Sequence, residues 1–202
     1  ISFDDTAIAF APKSTAELKE ARLLFSTMQY SGLVSLGTRI TPWIINAGLP
    51  VKGLIRKTIF KQFVGGETMQ ETAAVARKLG EYDVQVILDY GVEGKEGEAA
   101  FDAACTEFIK VIKYAATQPN IPFMSVKVTG IARFALMEKV DTGMRTGEAK
   151  GLLARYNLAL QRLTQGELQE WNRVYDRLQR ICSTAAEAGV GVLIDAEETW
   201  IQ

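Results

Sequence analysis

Four short apolar segments recur along the chain, and helical patterns separate them. This alternation of strand and helix is typical of βαβ units, which build a parallel sheet. Parallel sheets are covered on both faces, yet no helical pattern follows the fourth segment, so we expect these residues to form part of a larger fold. The four segments are "FKQFVGGE", "VQVILDY", "IPFMSVKVTGI" and "VGVLIDAEE".

The fold class predicted from this pattern is α/β. The best fit is the N-terminal half, the first four strands, of a (β/α)8 TIM-like barrel preceded by helices. A doubly wound sheet is the alternative, but the turn "VGGETMQ" lacks the G-x-G-x-x-G spacing of a dinucleotide-binding fold. We expect a helical segment at 1–57 and the half barrel at 58–202, with a helical insertion at about 132–188.

Capping signals and apolar periodicity place the helices. A glutamate three residues after a serine or threonine marks a helix start, and so does a proline at the first helical position. Glycines mark helix ends. Three predicted helices start at Ser14, at Thr41 (followed by Pro42, with Gly48 near the end) and at Thr68 (ending at Gly80). Two more span 100–116 and 168–188, and the second of these ends at Gly189.

The two longest helical patterns each predict one buried stripe. The first stripe consists of Phe101, Cys105, Phe108, Ile109 and Ile112. The second consists of Leu168, Trp171, Val174, Tyr175, Leu178, Ile181 and Cys182. Both cysteines are therefore predicted to be reduced core thiols.

Composition narrows the chemistry that these 202 residues can perform. The chain has no histidine, which removes Ser-His-Asp and Cys-His nucleophile systems and histidine-based zinc sites. Its formal net charge is −1, and no long run of one sign indicates a nucleic-acid or polybasic membrane surface. No apolar run reaches the roughly 18 residues that span a bilayer.

Lys127 is the most informative charged residue, because it lies among valines inside an apolar segment. A charge inside a strand is costly unless it is paired. One interpretation is a structural ion pair with a neighbouring carboxylate. The other is a functional lysine at a barrel strand end, which either holds an anionic substrate or forms a Schiff base.

Carboxylates follow two of the other segments. Asp89 ends "VQVILD", and Glu93 follows four residues later; helix capping by Asp89 is the structural alternative. Asp195 and Glu197 belong to the "DAEE" cluster, which could bind a divalent metal, act as a base or orient a cation. All four acids are predicted to lie at strand ends, where a barrel places its catalytic groups.

These strand ends, in this order, resemble those of proline dehydrogenase, the flavin-dependent family that oxidises proline. The blocks that carry the resemblance are "FVGGET", "VILDYGVEGKE", "SVKVTGIARFALMEKV" and "VLIDAEETWIQ", and it covers the chain from about residue 55. The long helical stretch before Asp195 is similar to that of the monofunctional branch, which includes mitochondrial enzymes. The resemblance implies a distorted (β/α)8 barrel that holds FAD. It also implies that L-proline loses a hydride to the flavin N5, giving Δ1-pyrroline-5-carboxylate, and that electrons then pass to a membrane quinone.

The resemblance also implies roles for individual residues. Lys127 matches the family lysine that helps to hold the proline carboxylate. Asp195 matches the aspartate beside the substrate and its arginine partners. Glu93 matches the acid that pairs with a substrate-binding arginine, and Asp89 belongs to the same motif. Glu197 belongs to the "DAE" block.

The resemblance places the family's paired arginines and most of its FAD-binding residues beyond the fourth strand and beyond Gln202. No cofactor-binding residue is therefore assigned within the chain. The remaining half of the barrel is an expected partner, and the 202-residue chain alone is expected to bind FAD poorly and to turn over little.

The start "ISFDDTAIAF" shows neither a signal peptide nor an Arg-rich transit peptide. We therefore expect a cytoplasmic bacterial protein, peripheral to the inner face of the inner membrane, with the mitochondrial matrix side as the counterpart in eukaryotic relatives.

Three other hypotheses remain open at this point. An aldolase-like barrel enzyme would use Lys127 as a Schiff-base nucleophile. A metal-dependent lyase would use Asp195 and Glu197 as ligands. A non-catalytic half would serve only folding or oligomerisation.

Overall fold

The computed structural model describes residues 4–48, 50–92 and 96–195. The chain divides between Val84 and Gln85 into two units. The described part of the first unit contains helices, and that of the second contains the sheet. The predicted helical segment at 1–57 lies within the first unit.

The first unit consists of helices that follow one another closely along the chain. They are α1 (Thr6–Ala9), α2 (Thr15–Met28), α3 (Ser31–Asn46), α4 (Lys52–Ile55), a π-helical turn (Arg56–Phe60), α5 (Lys61–Phe63) and α6 (Met69–Gly80).

Two of the predicted capping signals start helices. Ser14 and Glu17 form a reciprocal capping box at the start of α2, as predicted. At α6, the Thr68 hydroxyl accepts from the Glu71 backbone N–H, as predicted. The Glu71 carboxylate, however, accepts from the backbone N–H of Glu67 rather than from that of Thr68.

The predicted helix start at Thr41 is wrong, because Pro42 lies inside the longer helix α3. Proline in a helix interior removes one hydrogen bond and usually favours a boundary. Here Leu33, Leu36 and Ile40 repeat at helical spacing upstream, and the helix begins before the proline is reached.

The predicted strand in "FKQFVGGE" is also wrong. Residues 56–63 are helical, and the backbone becomes extended only at Val64. Ile55, Ile59 and Phe63 are spaced four residues apart, which places them on one side of a helix. An apolar run this short fits either structure, and the helical period prevails here.

The second unit contains a strand in each of the three remaining apolar segments, and helices lie between these strands along the chain. Its elements are β1 (Ile87–Asp89), α7 (Glu98–Ala115), β2 (Phe123–Lys127), a 3-10 turn (Val128–Gly130), α8 (Phe134–Arg145), α9 (Leu152–Gln161), α10 (Gln165–Ala188) and β3 (Gly191–Asp195).

The three strands form one parallel sheet in the order β1-β2-β3. Successive side chains of a strand point to opposite faces. The face that contains Leu88, Met124 and Val126 is buried, and α7 packs on β2 and α10 on β3. On the other face of the sheet, three apolar residues are each about half exposed: Ile87 (52%), Phe123 (41%) and Leu193 (40%).

Helix α7 supplies the predicted core stripe. Phe101, Cys105, Phe108 and Ile112 are at most 2% exposed, and Ile109 is partly buried beside them. Burial raises the pKa of the Cys105 thiol, as expected for a thiol in a core. The described core therefore lies between the sheet and the helices on one of its faces.

The buried stripe of α10 differs from the predicted one. It contains Val174, Arg177, Ile181 and Ala185, whereas Leu168, Tyr175 and Cys182 are exposed. The prediction of a core thiol is thus confirmed for Cys105 and wrong for Cys182. The difference arises because Arg177 occupies a core position. Sequence periodicity assigns such positions to apolar residues and not to a cation.

Helix α10 begins with a capping box between Thr164 and Glu167. The Glu167 carboxylate accepts from Lys139 Nζ at 2.7 Å and from the Thr164 backbone N–H at 2.8 Å. These hydrogen bonds, with that from Lys139 the strongest cause, lower the pKa of Glu167 from 4.5 to about 2. The charged form is therefore stabilised by folding.

Glu167→Gln should make the free energy of unfolding less dependent on pH between about pH 2 and pH 4.5. Because the folded pKa lies below the ordinary value, this carboxylate stabilises the fold above pH 4.5 and loses that contribution as the pH falls to about 2. Urea unfolding midpoints of both proteins across this range measure the effect. Glu187→Gln, an exposed change in the last turn of α10, is the control. Equal acid sensitivity of the wild type and Glu167→Gln would contradict the prediction.

Gly189 ends α10 in the left-handed conformation, with φ of 68°. A Cβ there would meet no heavy atom within 4 Å, so a substitution would act only through the backbone. Gly189→Ala should lower the free energy of unfolding by about 1–2 kcal/mol. Gly166→Ala, at a helical position with equally open space, is the matched control and should not destabilise. Denaturant titration measures both, and equal effects would contradict the backbone explanation.

Candidate active site

Three charged residues end the three described strands: Asp89 on β1, Lys127 on β2 and Asp195 on β3. In the parallel register, Lys127 lies opposite Asp195, and Asp89 lies opposite Ser125. All three side chains point to the exposed face of the sheet, because the pleat alternates with a period of two. We call these three residues the strand-end cluster.

Lys127 lies between the two carboxylates of the strand-end cluster. Its Nζ donates a hydrogen bond to Asp195 Oδ2 and lies 3.7 Å from Asp89 Oδ2. The lysine side chain is 14% exposed, whereas those of Asp89 and Asp195 are 48% and 41% exposed. The structural ion pair that the sequence left open is therefore present, with a well-buried cation and two accessible acids.

This arrangement favours a charged lysine. A Schiff-base nucleophile must be neutral when it attacks, and two neighbouring carboxylates stabilise the ammonium form instead. An ammonium has three N–H donors and can serve more than one carboxylate. Lys127 in this setting is therefore poorly suited to the aldolase hypothesis, which needs a neutral amine.

Two predicted site residues, Glu93 and Glu197, lie outside the described residues. Their assignment to substrate binding or arginine pairing stays a prediction. The described residues contain no group of three or more acids, histidines or cysteines that could hold a metal ion. The lyase hypothesis needs Glu197 as a ligand, so the described geometry does not test it.

The expected location of the cofactor-binding residues is also untested. The sequence placed most of them beyond Gln202, and Gln202 itself lies outside the described residues, which end at Asp195. The described geometry therefore assigns no residue to FAD, and the location of the FAD contacts stays a prediction.

Sequence reasoning missed Arg177, a cation that is 2% exposed on α10. Burial lowers the pKa of Arg177, but its hydrogen bonds to Glu98 and Asp102 outweigh burial and raise it. Hydrogen bonds from Arg173 and from Arg177 in turn lower the pKa of Glu98. The available signal was the position of Arg177 between Val174 and Ile181, on the buried stripe of α10.

The fold and the cluster define an α/β protein whose parallel strands present a lysine between two acids at their carboxyl ends. The proline dehydrogenase family model matches residues 72–202. The chain belongs to the proline dehydrogenase family. The resemblance seen in the strand-end motifs is thereby confirmed.

Three curated proteins illustrate the relationship. The chain is 26% identical to proline dehydrogenase 1, mitochondrial, of Dictyostelium discoideum, over 98% of the chain and 38% of that protein. It is 27% identical to the carbapenem antibiotics biosynthesis protein CarD of Pectobacterium carotovorum subsp. carotovorum, over 69% of the chain and 33% of that protein. It is 24% identical to human hydroxyproline dehydrogenase, over 98% of the chain and 48% of that protein.

The chain thus spans less than half the length of each of these relatives. Among the described residues, no helix is long and apolar enough to cross a membrane.

Proposed function

We propose that the protein carrying this chain oxidises L-proline to Δ1-pyrroline-5-carboxylate. Membership of the proline dehydrogenase family supports this reaction, and the position of Lys127 is the structural observation that carries it. Proline is a small zwitterion whose carboxylate needs a cation. Lys127 supplies one on an exposed face that also offers apolar surface.

The proposed architecture is the first half of a (β/α)8 barrel whose interior is the exposed face of the sheet. Parallel strands are normally covered on both sides, and here the described helices cover one. Ile194, on the helix-covered side of β3, is 57% exposed and would be covered by the next helix of the barrel. The remaining strands come from the rest of the protein.

The geometry of the cluster and the family resemblance support a proposed role for each of its residues. Lys127 binds the substrate carboxylate, and Asp89 and Asp195 hold the lysine in its charged form and fix its direction. Asp195 is the more closely bound partner, so it orients Nζ. The resemblance alone supports the remaining assignments, in which Glu93 pairs with a substrate-binding arginine and Glu197 binds substrate or an arginine. Apolar side chains of the same sheet face exclude water from the reacting carbon.

FAD is the proposed hydride acceptor, as in the family, and when bound it supplies the oxidising chemistry. The described face fits such a group in one respect. The exposed side chains of Ile87, Phe123 and Leu193 offer apolar surface against which a planar ring can pack. A quinone as the final acceptor, and with it a peripheral membrane location, is part of the proposal that rests on the family alone.

The test is an assay of the natural protein that contains this chain. Purified protein should carry an extractable flavin and convert L-proline to a product that has lost two hydrogens, as measured by mass spectrometry. D-Proline is the control. Parallel assays with hydroxyproline decide between the two substrates, since named relatives include dehydrogenases of each. Folded, flavin-loaded protein that oxidises neither would overturn the proposal.

A further inference from the structure

Arg177 is a buried cation of α10 that is separate from the strand-end cluster. Its Nε donates to Asp102 Oδ1 at 2.8 Å, and its Nη1 donates to the Ile131 carbonyl oxygen at 3.1 Å. Its Nη2 donates to a carboxylate oxygen of Glu98, and its guanidinium carbon lies 5.6 Å from the centre of the Phe101 ring. A charge buried this deeply is costly unless it is paired, so these contacts hold the side chain in one position.

The partners of Arg177 lie at the start of α7 and just beyond the end of β2. Glu98 is the first residue of α7, and it ends the connection that leaves β1 after Asp89. Ile131 directly follows the 3-10 turn that leaves β2 after Lys127. Arg177 therefore joins the start of α7 to the residue that follows the turn after Lys127.

These two segments also contact each other directly. Val92 is 4% exposed and packs against Gly130, at the position that a Cβ on Gly130 would occupy. Any larger residue at Gly130 would therefore displace Val92. Val92, three residues after Asp89, therefore packs on the turn after β2, and Arg177 binds the residue that ends this turn, Ile131.

We propose that Arg177 is a positioning residue that fixes Asp89 and Lys127 relative to each other by holding the turn after Lys127, on which Val92 packs. The planar guanidinium is suited to this task because its donors point to three acceptors in fixed directions. A lysine would keep the charge but lose that geometry. The inference extends the proposed function, and it rests on that function only where activity is measured.

Arg177→Lys in the natural protein tests the inference by two measurements. The KM for proline should rise and kcat/KM should fall about 10- to 100-fold, because displacement of a binding group by about 1 Å has costs of this size. Amide hydrogen exchange should accelerate at 89–92 and 128–131 but not in α9, which a general loss of stability would also affect. Arg180→Lys, at an exposed position of α10, should change neither measurement.

The outcomes separate this inference from the proposed function. Folded Arg177→Lys with unchanged exchange at 89–92 and 128–131, or with an unchanged KM, overturns the inference. If the wild-type protein does not oxidise proline, the proposed function fails, while hydrogen exchange still decides the role of Arg177. If Arg177→Lys does not fold, Asp102→Asn removes one charged acceptor at an exposed position and should give smaller changes of the same sign. Unchanged exchange in that variant also overturns the inference.

Discussion

Lys127→Met should lower kcat/KM for proline by about 100- to 1,000-fold, which corresponds to about 3–4 kcal/mol of lost transition-state stabilisation. Two effects add. The substrate carboxylate loses its cation, and Asp89 and Asp195 lose the positive charge that lies between them. Steady-state kinetics of the natural protein measure the change, and most of it should be in KM because the lysine binds a group that does not react.

Two further variants sharpen this experiment. Lys113→Met removes an exposed lysine from the last turn of α7 and should leave the kinetics unchanged. Asp195→Asn keeps the shape of the bonded partner but removes its charge, so it should impair the enzyme less than Lys127→Met does. An active Lys127→Met variant with a normal KM would contradict the assignment of the lysine to the substrate carboxylate.

Much of the second unit could be predicted from the sequence because its signals are local. Each of its three apolar segments follows a strong helical pattern, and Gly189 ends α10 where expected. The pairing of Lys127 with an acid was also predictable. A lysine inside a buried strand requires a counter-charge, and the ends of neighbouring parallel strands meet at the same edge of a sheet.

The first unit was predicted less well for a physical reason. Residues 55–64 contain a short apolar run that satisfies both a strand and a helix, and such a run is decided by what packs against it. Pro42 is a similar case, because its preference for a helix start is weaker than the helical pattern upstream of it. Local propensity is overridden in both places.

The helical position of Arg177 marks it as a stripe residue, but its role could not be predicted because that role depends on three distant partners. Periodicity assigns core positions to apolar side chains, and the helical pattern therefore favoured Tyr175 and Cys182 as inward residues. The actual stripe accepts a cation because Glu98, Asp102 and the Ile131 carbonyl converge on it from other elements. Such convergence is a property of the tertiary fold.

Phe108→Ala should lower the free energy of unfolding of the second unit by about 3–5 kcal/mol, because it leaves a large cavity in a close-packed core. Phe108 is fully buried, and its ring lies edge-on to that of Tyr90, with 5.6 Å between the ring centres. Tyr90 directly follows Asp89, so the cavity should also loosen the end of β1. Calorimetry measures the first effect, and hydrogen exchange at 89–92 measures the second.

Tyr175→Ala is the control for this experiment, because it removes an aromatic ring that is 60% exposed on α10. It should change the free energy of unfolding by no more than about 0.5 kcal/mol. Comparable losses in the two variants would show that the core between α7 and the sheet is not what stabilises this unit. A large loss in Phe108→Ala with unchanged exchange at 89–92 would instead show that the strand-end cluster is held by its ion pairs and by Arg177, independently of the core beneath it.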